Sequence, residues 1–231
     1  MNVFYQPRIE DLFELAQEEA HHALRVLRLL PGEKILVTDG KGTRAEAVIE
    51  RSTKTICTCR VVARMAVAPP SYSFHLAIAP TKNTDRMEWL VEKCVEIGIS
   101  SISFMRTQHS ERKRINADRL LKVAIGAMKQ SQQAWLPPLH TDVVFENLMT
   151  LPAAQKFIAY VDAANPVHLA RAAQAGKSTL VLIGPEGDFA QEELALALRN
   201  GFVKVSLGES RLRTETAGLV ATAMLHFVHA R

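Results

Sequence analysis

The sequence predicts two domains of different class: a small β-rich module over residues 1–68, then an α/β domain over residues 72–231 with a largely parallel sheet. Three observations carry this. The first 65 or so residues hold short β-branched runs separated by glycine turns. From Ser73 onward, apolar runs of strand length alternate with segments of helical period, the pattern of a parallel sheet covered on both faces. Between the two lies Ala68-Pro69-Pro70-Ser71, which reads as a linker.

In the first module, the spacing of Leu24, Val26 and Leu27 among Arg25 and Arg28 predicts a helix over Glu18–Leu30, stopped by Pro31-Gly32. Lys34–Thr38 and Thr43–Glu50 read as strands joined by the turn Asp39-Gly40-Lys41-Gly42. Thr55–Met65 is a third strand, and together these suggest a compact barrel-like module. In the second domain, strands are predicted at 74–79, 100–105, 156–161, 179–183 and 203–207. Helices are predicted at 85–97, 116–131, 166–173, 191–199 and 215–230.

The chain has 231 residues, 48% hydrophobic and 23% charged, the composition of a globular protein with a sizeable core. No apolar run approaches the ~20 residues that span a bilayer, and Met1–Pro7 lacks the basic and apolar regions of a secretory signal, so a cytoplasmic protein is expected. Cys57, Cys59 and Cys94 make neither a disulfide framework nor a zinc pattern; Cys57 and Cys59 alternate along a strand and share a face. The net charge is +4. Between Met105 and Gln130, seven cations (Arg106, Arg112, Lys113, Arg114, Arg119, Lys122, Lys129) face only Glu111 and Asp118, so this window alone is +5. Such a patch suits either a phosphate-bearing partner or a solvated face.

Two segments carry chemistry. In Leu180–Phe189, a buried strand ends in Gly184-Pro185-Glu186-Gly187 before a helix. Ligands bind at the carboxyl ends of strands in open α/β sheets, though an ordinary tight turn has the same pattern; Asp188 with Gln191 suggests a capping box. In Val205–Gly218, a strand again runs into a glycine loop and a helix start, where Thr214 or Thr216 suits the cap and Glu215 the helix dipole. Arg211 and Arg213 are poorly placed at a helix N-terminus unless they hold an anion. Neither a G-x-G-x-x-G turn nor a Walker lysine is present, which argues against an enzyme binding a nucleotide through its phosphates.

The pair Ile183-Gly184-Pro185-Glu186-Gly187 and Leu207-Gly208 … Leu212-Arg213-Thr214-Glu215-Thr216-Ala217, with its spacing, resembles the RsmE family of SPOUT methyltransferases. Lys82, Arg86-Met87-Glu88, Glu92–Gly98 and Ser110-Glu111-Arg112 are similar to that family's first α/β segment. His21–Arg28 with Gly32 resembles its PUA-like domain, so the resemblance covers nearly the whole chain. It implies a PUA-like β-barrel preceding an α/β domain tied in a C-terminal trefoil knot, although knots are rare. It also implies S-adenosyl-L-methionine (AdoMet) as methyl donor, a homodimer sealed in part by the final helix, and methylation of uridine N3 in small-subunit (16S) ribosomal RNA, in the assembled subunit. Carried across, the cofactor residues are Ile183, Gly184, Pro185, Glu186, Gly187, Leu207, Gly208, Leu212 and Thr216. Arg213 and Glu215 become the candidate catalytic groups; Arg25, Arg28, Lys82, Arg112, Lys113, Arg114 and Arg211 the RNA contacts; no metal is implied. The chain departs from the family pattern at Asp188, commonly glycine, and at Ser210, often arginine, with Arg211 at a usually apolar place. A third departure is Gln133, where an arginine is usual.

N3 lies on the Watson–Crick edge, so the target base must be unpaired or flipped out. Arg213 suits stabilisation of an anionic uracil or a phosphate. Glu186 and Glu215 are both candidate proton acceptors, and nothing in the sequence chooses between them. His21, His22, His109 and His140 are read as surface or core residues. The competing readings are a methyltransferase acting on another RNA such as tRNA, and a non-catalytic PUA-type RNA-binding protein.

Overall fold

The computed structural model describes residues 1–110, 115–161 and 167–230. The chain divides into two units, Met1–Pro69 with Ile125–Leu136, and Pro70–Ala124 with Pro137–Arg231.

The first unit is a five-stranded sheet in the order β1 (Val3–Tyr5), β3 (Lys34–Thr38), β4 (Thr43–Ser52), β5 (Cys57–Ala66), β2 (Leu12–Glu14). Only the β1–β3 pair is parallel. Alternate residues Ile35, Val37, Ala45, Ala47, Ile49, Cys57 and Cys59 point into one core with Phe4 and Phe13. Cys57 and Cys59 are thus buried, with their sulfurs 3.8 Å apart, and no group of three metal-binding side chains occurs among the described residues.

The helix expected over Glu18–Leu30 is much shorter. α1 covers Gln17–His21 and continues as a π-helical turn, His22–Val26, closed by the Leu27 N–H on the His22 carbonyl. Arg28 then takes a left-handed backbone, φ 57°. Arg25 and Arg28 are both exposed, but they do not share a regular helix face.

Ile125–Leu136 belongs to this unit because Trp135 fills the space beside Gly42. Gly42 has φ +95° and lies against the indole, whose Nε1 donates to the Val67 carbonyl at 3.1 Å. Lys129 adds an ion pair with Glu19 at 2.6 Å. None of these partners is near in sequence, so the pattern of 116–131 shows only an amphipathic helix, α3 (Ala117–Gln130).

The second unit is a six-stranded sheet, parallel throughout, in the order β11-β9-β10-β6-β7-β8. Its strands are β6 (Phe74–Ile78), β7 (Ser101–Arg106), β8 (Leu139–Val144), β9 (Gln155–Ala159), β10 (Thr179–Ile183) and β11 (Val203–Val205). The helices α2 (Thr84–Ile97), α4 (Phe145–Met149), α5 (Leu169–Ala172), α6 (Gln191–Arg199) and α7 (Thr214–His229) connect or follow them. Every residue of β10 is buried, as a central parallel strand requires. β8 and α4 were not expected: β8 is an edge strand that leaves His140 and Asp142 exposed, which hides its apolar alternation.

α7 packs on α2, β6 and β10 with Gly218 at the tightest point. A Cβ there would sit 2.8 Å from Ile78 Cδ1 and 3.2 Å from Leu90 Cδ1. Gly218→Val is therefore expected to lower stability by about 1–3 kcal/mol through overpacking. Urea unfolding checks this: a midpoint equal to wild type would mean that α7 has room to move.

Candidate functional site

From β6 the chain steps outward to β7 and β8. It then returns through β9 to β10, which lies against β6, and leaves for β11 on the other side. The connections therefore part company between β6 and β10, and ligands bind at the carboxyl ends of strands at such a switch point. Four loops meet on that rim: Ala79–Asn83 after β6, Thr107–Ser110 after β7, Gly184–Ala190 after β10 and Ser206–Arg213 after β11.

Asp188 is one place where they join. Its backbone is left-handed, φ 63°, a conformation natural to glycine and tolerated by Asp. The carboxylate accepts hydrogen bonds from the backbone N–H groups of Phe189 and Val161, and its carbonyl lies 3.0 Å from His109 Nδ1. Burial raises the Asp188 pKa, opposed by those two N–H donors and by the charges of Arg211 and His109. Residues following β7, β9, β10 and β11 are thereby tied to one residue, the β9 and β10 loops through its carboxylate.

Arg86, on the first turn of α2, is the second junction. Its Nη1 lies 4.0 Å from Glu186 Oε1 and its Nε 3.6 Å from Glu215 Oε1, so one guanidinium spans both glycine-loop motifs. Glu215 is 6% exposed, and its Oε2 has no hydrogen-bond partner among the described residues. Beside it opens a cleft of about 400 Å³ lined by Asp85, Arg86, Trp89, Arg213, Glu215 and Thr216.

The residues singled out from sequence fall as follows. Ile183 is the buried end of β10, and its carbonyl accepts from the Ala79 N–H. Gly184 and Pro185 are half-buried, and Glu186 and Gly187 are exposed on the rim. Leu207, Leu212 and Thr216 are half-buried and Gly208 is exposed. Gly208 has φ +130° with nothing among the described residues within 4 Å of where a Cβ would stand, which leaves its backbone open to a ligand. Arg211 and Arg213 are exposed on the loop before α7, and Lys82 is exposed before α2. Arg112, Lys113 and Arg114 lie outside the described residues.

Two expected caps are corrected. Asp188 and Gln191 form no capping box. The N-cap of α6 is Ala190, whose N–H donates to Glu193 Oε2 at 2.9 Å while Glu193 Oε1 accepts from the Gln108 N–H. Neither Thr214 nor Thr216 caps α7: Arg213 holds the N-cap position without a side-chain bond, and Thr214 and Glu215 are buried in the first turn. Arg86 and Trp89 carry no assigned role in the sequence, and His109, read there as a surface or core residue, is tied to the Asp188 carbonyl on the rim. Arg86 and Trp89 follow the cap residue Asn83 on the flank of α2's buried stripe, a signal of position without a partner.

A parallel α/β domain with two glycine loops and an open backbone at its switch point defines the class: a ligand-binding α/β domain with a second, β-rich unit beside it in the chain. Residues 68–226 match the family model described as RNA methyltransferase domain, and residues 15–62 match RNA methyltransferase PUA domain. The chain belongs to this RNA methyltransferase family. It is 29% identical to Ribosomal RNA small subunit methyltransferase E of Mycobacterium bovis, over 99% of this chain and 92% of that protein. A crystal structure named "probable rRNA-methyltransferase" from Porphyromonas gingivalis is 44% identical, with a TM-score of 0.94 over 100% of this chain and 99% of that one. Ribosomal RNA small subunit methyltransferase E from Neisseria gonorrhoeae, bound to S-adenosyl methionine, is 25% identical, with a TM-score of 0.83 over 99% and 98% of the two chains. The resemblance to the RsmE family thus extends over the whole chain.

Proposed function

We propose that the protein is an AdoMet-dependent methyltransferase that methylates N3 of a uridine in small-subunit (16S) ribosomal RNA. The observation that carries this reading is the joining of both glycine-loop motifs on one rim through Arg86, within a chain that belongs to an RNA methyltransferase family. AdoMet fits the donor set: Gly187 and Gly208 leave backbone approachable, and Ile183, Gly184, Pro185, Glu186, Leu207, Leu212 and Thr216 complete the cradle. Bound there, it supplies an electrophilic methyl on sulfur. Arg213 borders the cleft and offers a planar cation to a uracil anion or phosphate. Glu215 offers a buried carboxylate oxygen for the N3 proton.

RNA is held by Arg25, Arg28, Lys82 and Arg211, together with Arg112, Lys113 and Arg114. Residues 1–68 serve as the PUA-like β-barrel and 72–231 as the knotted catalytic domain. The protein works as a homodimer, sealed in part by α7, which turns Ala223 and Phe227 outward. Its substrate is the assembled small subunit, in the cytoplasm; no helix among the described residues is long and apolar enough to cross a membrane.

Tritium transfer from labelled AdoMet to small ribosomal subunits and to bulk tRNA, followed by nucleoside mapping, tests this. The expected product is N3-methyluridine in small-subunit RNA. Label in tRNA alone would move the substrate assignment, and no label in either would overturn the enzymatic reading.

A further inference from the structure

We propose that the cleft between the first turns of α2 and α7 seats the target nucleobase, with the indole of Trp89 as its stacking face. The inference rests on the methyltransferase reading above and adds a substrate subsite to it. Three features converge. Trp89 is 41% exposed although it lies on a helix whose neighbours Met87, Leu90 and Val91 are buried, so a large aromatic face is left beside the cleft. Arg86 and Arg213 line the same space. Glu215 reaches it from a nine-tenths buried position with Oε2 unsatisfied among the described residues. A buried acceptor without a donor is costly, and a ligand that brings an N–H relieves the cost.

The ligand these groups describe is flat, apolar on its faces, and carries an imino N–H flanked by acceptors. Uracil has this form: N3–H lies between two carbonyls, so its edge complements a buried carboxylate paired with the Arg86 guanidinium, with Arg213 lining the same cleft. Cytosine presents a lone pair at N3, which would face the carboxylate unfavourably. A base lifted out of its stack regains that contact on an aromatic side chain. A cleft of about 400 Å³ is of the size that takes a small planar molecule.

The test is single-turnover methylation of small ribosomal subunits at saturating AdoMet, comparing wild type, Trp89→Phe and Trp89→Leu. AdoMet affinity is measured by calorimetry and mass by light scattering. Loss of base stacking should slow Trp89→Leu by about tenfold or more, while Trp89→Phe stays within about threefold of wild type. AdoMet affinity and mass should be unchanged in both. Because Trp89 is exposed, both variants should fold, and thermal unfolding checks that they do. Should Trp89→Leu not fold, Trp89→Phe decides alone: a tenfold loss with AdoMet affinity kept would show that no aromatic face is being used. The proposal falls if Trp89→Leu transfers methyl at the wild-type rate, or if Trp89→Phe is as impaired as Trp89→Leu. It falls equally if the mass of Trp89→Leu changes, which would place the indole at a contact between copies. Wild type that labels no subunits would instead overturn the function itself.

Discussion

Gly187→Val should weaken AdoMet binding by about a hundredfold or more while leaving the fold intact. Gly187 is exposed on the loop after β10, and its backbone is not left-handed. Among the described residues, a Cβ at that position would meet only the His109 side chain, at 3.6 Å, an ordinary contact. The protein therefore has room for a valine as far as folding is concerned, and the space the side chain takes is space on the cofactor rim. Gly184 is a poorer probe: a Cβ there meets the Phe189 ring at 3.0 Å, so a substitution would disturb the core before it disturbed a ligand. With close backbone approach blocked, affinity should fall by about a hundredfold or more, equivalent to about 2.7 kcal/mol. Titration calorimetry with AdoMet measures it, and thermal unfolding confirms the fold. An unchanged dissociation constant in a folded variant would move the cofactor off this loop.

What the sequence reveals and what it hides divides along sequence distance. The buried strand β10, the helix α2 and the two glycine loops are legible because each is a local pattern: a continuous apolar run, a 3.6-residue stripe after Asn83, a glycine between strand and helix. The edge strand β8 is hidden because two of its six residues, His140 and Asp142, face solvent and interrupt its apolar alternation. The π-helical turn at His22–Val26 escapes because apolar periodicity says nothing of whether a carbonyl accepts from four or five residues onward. In the site, Arg211 and Arg213 stand out as cations at a helix start, whereas Glu215 suits the helix dipole there and is singled out only by the family resemblance. Arg86 does not stand out, since an arginine on a helix flank is ordinary until two carboxylates from residues 186 and 215 are brought to it. Asp188 looks like a simple departure from glycine, and only the fold supplies the Val161 N–H that its carboxylate accepts.

Arg213 should matter for methyl transfer far more than for cofactor capture. It occupies the N-cap position of α7 with an exposed side chain that makes no capping bond, so the helix does not need it. A cation is mildly unfavourable at that end of a helix; its removal should leave stability equal or slightly improved. Arg213 instead lines the cleft that Trp89 and the buried Glu215 also line. As N3 of uridine loses its proton, negative charge spreads onto the uracil ring, and a planar cation beside it stabilises that charge. Losing one such contact from a transition state typically costs ~3 kcal/mol, or about a hundredfold in rate. Arg213→Ala is thus expected to slow single-turnover methylation of small ribosomal subunits by about a hundredfold at saturating AdoMet. Arg213→Lys keeps the charge but loses the two-pronged fork, so it too should be impaired if both prongs are used. Wild-type transfer by the alanine variant would make Arg213 structural and shift the role to Arg211, which lies on the same loop and acts on Asp188. A variant that transfers normally once AdoMet is saturating, but binds AdoMet weakly, would place Arg213 in the cofactor site instead.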